Sequence, residues 1–370
     1  MKTKEFKPEL IPNSKTGDEF ALTKNIKNPR DYECSLKHDG GRVIIKHGMP
    51  GLSRELKVLA SGHLQEMIAE FKIHGHLYDD ETIECEFYSP EMTFSEIMHF
   101  FKSSDVTSDK KKKHWANEWA KTNNGTGTYT KTKNGQPYEQ GWEFVGRTPE
   151  WLTTWHDSLK LYAFNFYKDT DPNMIRSDRS VALANLIYLY QDNPFNKGNV
   201  VCIDQLRFDT HEEIAGFYDR ALSLGEEGIV IANRDSVYKF GRHTMNSGNI
   251  FKLKEDKLEF DGTIIGVEEA TEAREGSEKT VNELGRSKTS QLKEDRIPSG
   301  IAKGFLVMME DGREFTVSLN GYNEIEKREL LVNKEKYLGE WIRFTGMAPV
   351  KHGGMPRQAR FTKGNFRDSK

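Results

Sequence analysis

The hexapeptide Lys37-His38-Asp39-Gly40-Gly41-Arg42 lies between two runs that read as strands, residues 32–36 and 43–45. Asp and Gly are turn formers, because Asp bonds its own backbone and Gly tolerates angles that other residues avoid. The stretch therefore predicts a tight turn that presents Lys37 between two strands, where a lysine is a candidate covalent nucleophile. Taken alone, Lys-x-Asp-Gly also describes an ordinary β-turn with a solvated lysine. The rest of the chain has to decide between the two.

The 370 residues suffice for two or three domains. Apolar residues make up 36% and charged residues 30%, polar for a globular chain but not the composition of a disordered one. No run approaches the length of a membrane span, and Met1-Lys2-Thr3-Lys4 lacks the apolar segment of a signal peptide. Cys34, Cys85 and Cys202 are widely separated with no CxxC pair. That argues against a structural zinc site or a disulfide framework and fits a reducing cytoplasm. The net charge of −3 does not mark a nucleic-acid binder, yet a local basic face is enough to meet a phosphate backbone.

Along the chain, residues 1–31 carry Pro8, Pro12 and Pro29 and read as an irregular lead-in with at most a short helix. Leu64, Met67, Ile68 and Phe71 predict an amphipathic helix over 62–73, and residues 82–88 a strand holding Glu84 and Glu86. Thr93 and Glu96 have capping-box spacing before another amphipathic helix. Residues 103–147 read as an insertion; the basic run 110–113 in it is either an arm touching a polyanion or a solvated excursion. Then follow an aromatic strand over 159–167, a helix near 180–191 and a strand near 199–208. Thr210 and Glu213 form a second capping box, followed by an amphipathic helix and the acidic turn Glu226-Glu227-Gly228 entering an apolar strand. A domain boundary is expected near Glu255-Asp256-Lys257. Beyond it, 260–267 reads as a strand, 268–300 as a long exposed loop or partly ordered insertion, and 304–319 as a hairpin turning at Asp311-Gly312. Residues 323–337 read as helical, 341–345 as a strand, and the chain ends in a basic tail. Several strands and one helix in this length suit a small barrel such as an OB-fold.

The ordered set Lys37-His38-Asp39-Gly40-Gly41-Arg42, Ser53-Arg54, Glu86, Phe164, Glu227-Gly228 and Lys252-Leu253-Lys254 resembles the motif series of the covalent nucleotidyltransferases. Within that superfamily it is most similar to the ATP-dependent DNA ligases, and among those to the small two-domain ligases of bacteriophages. The likeness runs from residue 32 to the C-terminus. It implies an α+β chain. Residues 1–256 would be a nucleotidyltransferase (ATP-grasp-like adenylation) domain of antiparallel sheets and helices, interrupted near 103–147. Residues 257–370 would be an OB-fold β-barrel, interrupted near 268–300. In such a pair the second domain closes first on ATP and then on the duplex.

The implied reaction is nick sealing in duplex DNA through a lysine–AMP phosphoramidate, an adenylated 5′-phosphate and attack by the 3′-hydroxyl. A lysine amine titrates near pH 10, so it needs neighbouring cations that disfavour its charge; Lys252, Lys254 and a bound metal ion are the candidates. The same cations favour negative charge building on the α-phosphate. By resemblance Lys37 is the nucleophile, Arg42 contacts the ribose and then the 5′-phosphate, and Arg54 is a second phosphate-contacting arginine. Glu86 lies by the ribose, and Glu86 and Glu227 are the metal candidates, both hard oxygen ligands suited to Mg²⁺. Phe164 is the aromatic that stacks on adenine, although Phe166, two residues on and expected on the same strand face, offers a second ring. ATP is the implied co-substrate, bound as AMP, and nicked double-stranded DNA the implied partner. No membrane association and a monomeric state are expected, in a cytoplasm that is the host's if the chain is phage-encoded.

Two departures from the family pattern stand out. Ser35 occupies the position two before the nucleophile, where Glu or Gln is common, so the group that reads the adenine edge is open. The terminal basic motif is stretched across Arg357-Gln358-Ala359-Arg360-Phe361 and Arg367-Asp368-Ser369-Lys370, with Arg367 and Lys370 as its closest match. Alternatives are an RNA ligase, a GTP-using mRNA capping enzyme, or a nucleic-acid-binding module with a degenerate site. The barrel and the small size favour a DNA ligase over the first two. The simultaneous presence of Lys37, Glu86, Glu227, Lys252 and Lys254 argues against the third.

Overall fold

Tyr32–Lys37 (β1) and Gly41–Lys46 (β2) are strands, but they do not pair with each other. Each joins a different sheet, so the glycine turn between them is a crossing from one sheet to the next and not a hairpin. A computed structural model describes residues 6–12, 25–92, 94–102, 128–133, 136–141, 158–254, 257–274, 280–281, 287–288, 296–347 and 356–367. Thr93 of the first expected capping box, the basic run 110–113 and Lys370 lie outside them. The chain divides into two units, Met1–Glu255 and Asp256–Lys370.

In the first unit the elements continue with helix α1 (Gly62–His74), strand β3 (Glu81–Tyr88), helix α2 (Phe94–Lys102) and strand β4 (Lys160–Lys168). Helix α3 (Arg176–Asp192), strand β5 (Val200–Cys202), helix α4 (His211–Ser223), and strands β6 (Gly228–Asn233) and β7 (Ile250–Lys254) complete it. A five-stranded sheet runs Leu52–Ser53, β2, β3, β4, β5, and a three-stranded antiparallel sheet runs β7, β6, β1. Thr128–Lys133 and Gln136–Gly141 inside the expected insertion pair only with each other.

The period-two alternation of β1 separates its roles. Tyr32, Cys34 and Leu36 pack with Ile214 and Ala221 of α4 and with Ile229, Ile231, Phe251 and Leu253. Glu33, Ser35 and Lys37 fall on the opposite face. The five-stranded sheet packs its own core of Val43, Ile45, Ile83, Cys85 and Phe87 against Leu64, Phe71, Ile97, Leu183 and Tyr190 from α1, α2 and α3. Ser61 caps α1 through Leu64 N at 3.3 Å, and Thr210 with Glu213 closes the expected capping box of α4.

Three sequence expectations change here. The strand expected near 199–208 is only Val200–Cys202, and Leu206 adds a single bridge to Cys34. The lead-in is not wholly irregular: Glu9–Leu10 pairs in parallel with Gly241–Arg242, and Glu9 is buried. The third concerns the loop expected over 268–300. In the second unit β8 (Leu258–Ala273) and β9 (Arg296–Met308) run well into that range. Glu269, Thr271 and Glu272 are exposed on this ladder, so part of the polar composition of that range belongs to paired strands.

The second unit adds β10 (Glu314–Asn320), helix α5 (Glu324–Val332), β11 (Trp341–Met347) and β12 (Arg357–Thr362). The region read as a basic tail thus supplies β12. Strand β8 changes partner at Thr263, from β11 on one side to β9 on the other. With β9–β10, β10–β12 and β12–β11, every one of these five strands bonds to two others. Phe305, Phe344, Phe361, Ile342 and Val317 fill the interior, with Leu330 of α5.

Two stability outcomes follow from this packing. Thr210→Ala, which deletes a cap, should cost about 1 kcal/mol. Phe305→Ala, which empties an interior site, should cost about 3–5 kcal/mol. Urea unfolding of the two variants checks both values and their order.

Candidate active site

Lys37 ends β1, and Gly228 begins β6 directly opposite it. Gly228 is also opposite Lys254 on β7. The residue before that glycine, Glu227, therefore stands between two lysines. Its carboxylate contacts Lys37 Nζ through one oxygen and Lys254 Nζ at 3.2 Å through the other. Glycine is required at 228: φ is +144°, and a Cβ there would lie 2.0 Å from the Leu253 carbonyl oxygen. Burial raises the proton affinity of Glu227, but the charges of Lys37 and Lys254 and their hydrogen bonds more than offset it, leaving the pKa below the usual range. Lys252 shares the β7 face with Lys254. Burial, and then the charges of Lys254 and Lys37, hold it below the ordinary lysine range.

The second carboxylate comes from the other sheet. Glu86 lies opposite Arg42 in the β2–β3 ladder and accepts a bond from Gly40 N at 3.1 Å. That turn approaches β3 so closely that a Cβ on Gly40 would stand 2.2 Å from the Phe87 carbonyl oxygen. Burial pushes Glu86 up to about 7, against the opposing charges of Lys37 and Arg42, and Glu227 adds to the rise. Arg42 is bonded to Glu84 at 2.6 Å, and its guanidinium lies 5.1 Å from the centre of the Phe164 ring.

Lys37, Arg42, Glu86 and Phe164 line one pocket, together with Ser35 and His38. Val230 and Ile250 of the three-stranded sheet complete an apolar wall. The pocket thus lies between the two sheets, and the nucleophile candidate is at the crossing that joins them. Phe164 and Phe166 do not share a face. The ladder between β3 and β4 shifts register between Glu84 and Cys85, where Asn165 and Ala163 are their partners, so Phe164 is the extra residue of a bulge. Phe166 turns into the core while Phe164 reaches the pocket.

Arg54 is exposed and is not among the pocket-lining residues. Arg367 lies in the second unit with its Nε 3.8 Å from Asp261.

Sequence reasoning missed Glu9, Asn165 and Arg176, which also line the pocket. They form a buried polar floor. Arg176 donates to Glu33 at 2.7 Å and to the Asn165 side-chain oxygen at 3.1 Å, and Asn165 donates to Glu9 at 3.1 Å and Glu84 at 2.9 Å. Burial opposes ionisation of Glu9, yet His243, Arg179 and Arg176 bring it down to about 2. The legible signal was Glu33, two residues before Ser35 on the same face of β1, a carboxylate that the motif series left without a role.

No family model matches the chain, and no curated protein matches it. Solved structures do. A Lig E DNA ligase structure aligns over 97% of this chain and 99% of its own, with 16% identity and a TM-score of 0.54. A chain described as Pmar-Lig_Pre aligns over 99% of this chain and 68% of its own, with 18% identity and a TM-score of 0.55. The fold is that of a DNA ligase. The Chlorella virus DNA ligase-adenylate also aligns, over 98% of this chain and 99% of its own, with 17% identity and a TM-score of 0.45. Within the ligase fold, among the described residues, no group of three or more His, Cys, Asp and Glu side chains is placed to hold a metal. No helix among them is long and apolar enough to cross a membrane.

The raised pKa of Glu86 has a definite sign. A carboxyl whose native pKa exceeds its unfolded value binds more protons folded than unfolded, so its contribution to stability falls as pH rises. The loss sets in above the unfolded value of 4.5 and is complete above about 7. Glu86→Gln should therefore gain stability relative to the parent between those limits. Thermal unfolding of both proteins across that range, without added metal, measures the difference.

Proposed function

We propose that the chain is an ATP-dependent DNA ligase that seals nicks in duplex DNA. The observation that carries the reading is Lys37 lining a pocket, held by Glu227 and accompanied by Lys252, Lys254, Glu86, Arg42 and Phe164. Phe164 would stack on the adenine, with Val230 and Ile250 as the apolar wall. Lys37 Nζ would attack the α-phosphorus of ATP, forming a P–N bond as the bond to pyrophosphate breaks. The amine must lose its proton, which would pass to water as Glu227 releases the lysine, and the nearby charges of Lys252 and Lys254 favour that loss. Lys252 and Lys254 would offset the charge that develops on the phosphate oxygens. A 5′-phosphate oxygen of the nick then takes the AMP and releases Lys37. Attack by the 3′-hydroxyl on that phosphorus closes the strand and expels AMP. Arg42 and the exposed Arg54 are the proposed phosphate contacts.

The donor set fits a divalent cation of the Mg²⁺ type. Such an ion uses one or two protein carboxylates and completes its shell with water and substrate phosphates, so a third protein ligand is not needed. The charge of Glu227 raises the proton affinity of Glu86, as one carboxylate does to another until a cation lies between them. Those two residues would hold the metal, which would supply charge neutralisation at the phosphates. In the second unit, the cyclic pairing of five strands supports reading residues 257–370 as an OB-type barrel. Arg367 and Lys370 remain the proposed match to the terminal basic motif.

Incubation with labelled ATP and Mg²⁺ should label the protein, and nicked duplex DNA should then be joined. Lys37→Ala should give neither product. Lys254→Ala should slow labelling by roughly 10²-fold or more. Labelling that persists in Lys37→Ala would overturn the nucleophile assignment, and a labelled protein that leaves nicks open would overturn the DNA ligase reading.

A further inference from the structure

Lys37, Glu227, Glu86 and Phe164 each have a residue one or two positions away in the chain that belongs to a second cluster. His38 follows Lys37, Glu226 precedes Glu227, and Tyr88 lies two beyond Glu86 on the same face of β3. His38 Nδ1 is 2.7 Å from Glu226 Oε2, and both side chains are nearly inaccessible, at 7% and 8% exposure. Tyr88 donates its hydroxyl to the other Glu226 oxygen at 3.1 Å. The Tyr88 ring also stacks on the imidazole, with centroids 4.4 Å apart and planes 14° apart. Tyr162, two before Phe164, closes the cluster at 4.6 Å from His38 and 5.6 Å from Tyr88.

We propose that His38, Glu226 and Tyr88 form a positioning clamp that fixes Lys37, Glu227 and Glu86 relative to one another for nucleotidyl transfer. This rests on the proposed function above. Lysine has four rotatable side-chain bonds, so the Lys37–Glu227 contact cannot by itself define where the amine points. The two strand ends that carry the pair share a backbone bond from Glu227 N to Lys37 O at 3.1 Å. The His38–Glu226 pair adds a second tie one residue away, and Tyr88 ties both to the five-stranded sheet. The reacting groups come from three strands in two sheets, and the clamp is the place where side chains from all three meet. Glu226 is not among the residues lining the pocket, so its effect on the reaction passes through His38 and the strand ends.

The test is single-turnover adduct formation by the full chain with labelled ATP and Mg²⁺, over a range of ATP concentrations, in Glu226→Ala, Glu226→Gln and Tyr88→Phe. Thermal midpoints are recorded in parallel. Glu226→Ala should slow the rate at saturating ATP by roughly 10- to 100-fold while the half-saturating ATP concentration moves by no more than about twofold. Glu226→Gln, which still offers an acceptor oxygen, should recover part of that rate. Tyr88→Phe keeps the stacked ring and loses one hydrogen bond, so it should fold and show a smaller loss of the same kind. The clamp is overturned if Tyr88→Phe and a folded Glu226→Ala both label at the parent's saturating rate, or if their losses lie wholly in half-saturation. A parent chain that forms no adduct overturns the nucleotidyl-transfer reading, and the clamp with it. An adduct in the parent with unchanged variants overturns the clamp alone.

Discussion

The carboxylate of Glu227 holds two lysines that would otherwise repel each other. Lys37 and Lys254 lie on separate strands, both in register with Gly228, and only the residue before that glycine reaches both. Placing an anion there lets β1, β6 and β7 close into one sheet while three cations, with Lys252, share one face. The arrangement is stable, but it is not reactive: in an ion pair the lysine is an ammonium, whose nitrogen has no lone pair with which to attack. Chemistry at Lys37 requires that Glu227 give up the contact, and charge brought by substrate phosphates and a divalent ion would draw both partners apart. The ion pair is therefore a structural tie and, in the proposed reaction, also a gate on Lys37.

The gate works because the turn after Lys37 changes sheets. Within one hairpin, the lysine and Arg42 would lie on adjacent strands of one surface. With β1 and β2 in different sheets, the groups on either side of the turn face each other across a gap. Lys37 and Ser35 come from one side, Arg42, Glu86 and Phe164 from the other. Gly40 sits so close to the Phe87 carbonyl that the crossing leaves no room for a side chain.

Much of this was legible in local pattern. The helices were readable because their apolar residues recur at helical spacing, and the Thr210–Glu213 box because both partners lie within one turn. Lys37, Arg42, Glu86, Glu227 and the Lys252/Lys254 pair were readable as an ordered set, and the structure brings their side chains together. The sheet crossing was not legible, since a glycine turn has the same sequence whether the flanking strands pair or part. The far ends of β8 and β9 were hidden by exposed polar and turn-forming residues such as Glu269, Thr271, Glu272, Pro298 and Gly300. Glu9 gave no local signal, because its partners His243 and Asn165 lie over a hundred residues away. The aromatic pair Phe164 and Phe166 misled for a specific reason: alternation predicts one face, and only the ladder partner reveals the bulge.

That bulge is what gives the pocket its aromatic ring. Ala163 opposite Cys85 and Asn165 opposite Glu84 would stand in regular register without the residue between them. Phe164 is thus an insertion that adds a ring to the pocket face, while Ala163 and Phe166 keep their places in the core and Asn165 stays on the pocket side. The ring and the polar floor beneath it are set separately, so the one can change without dismantling the other.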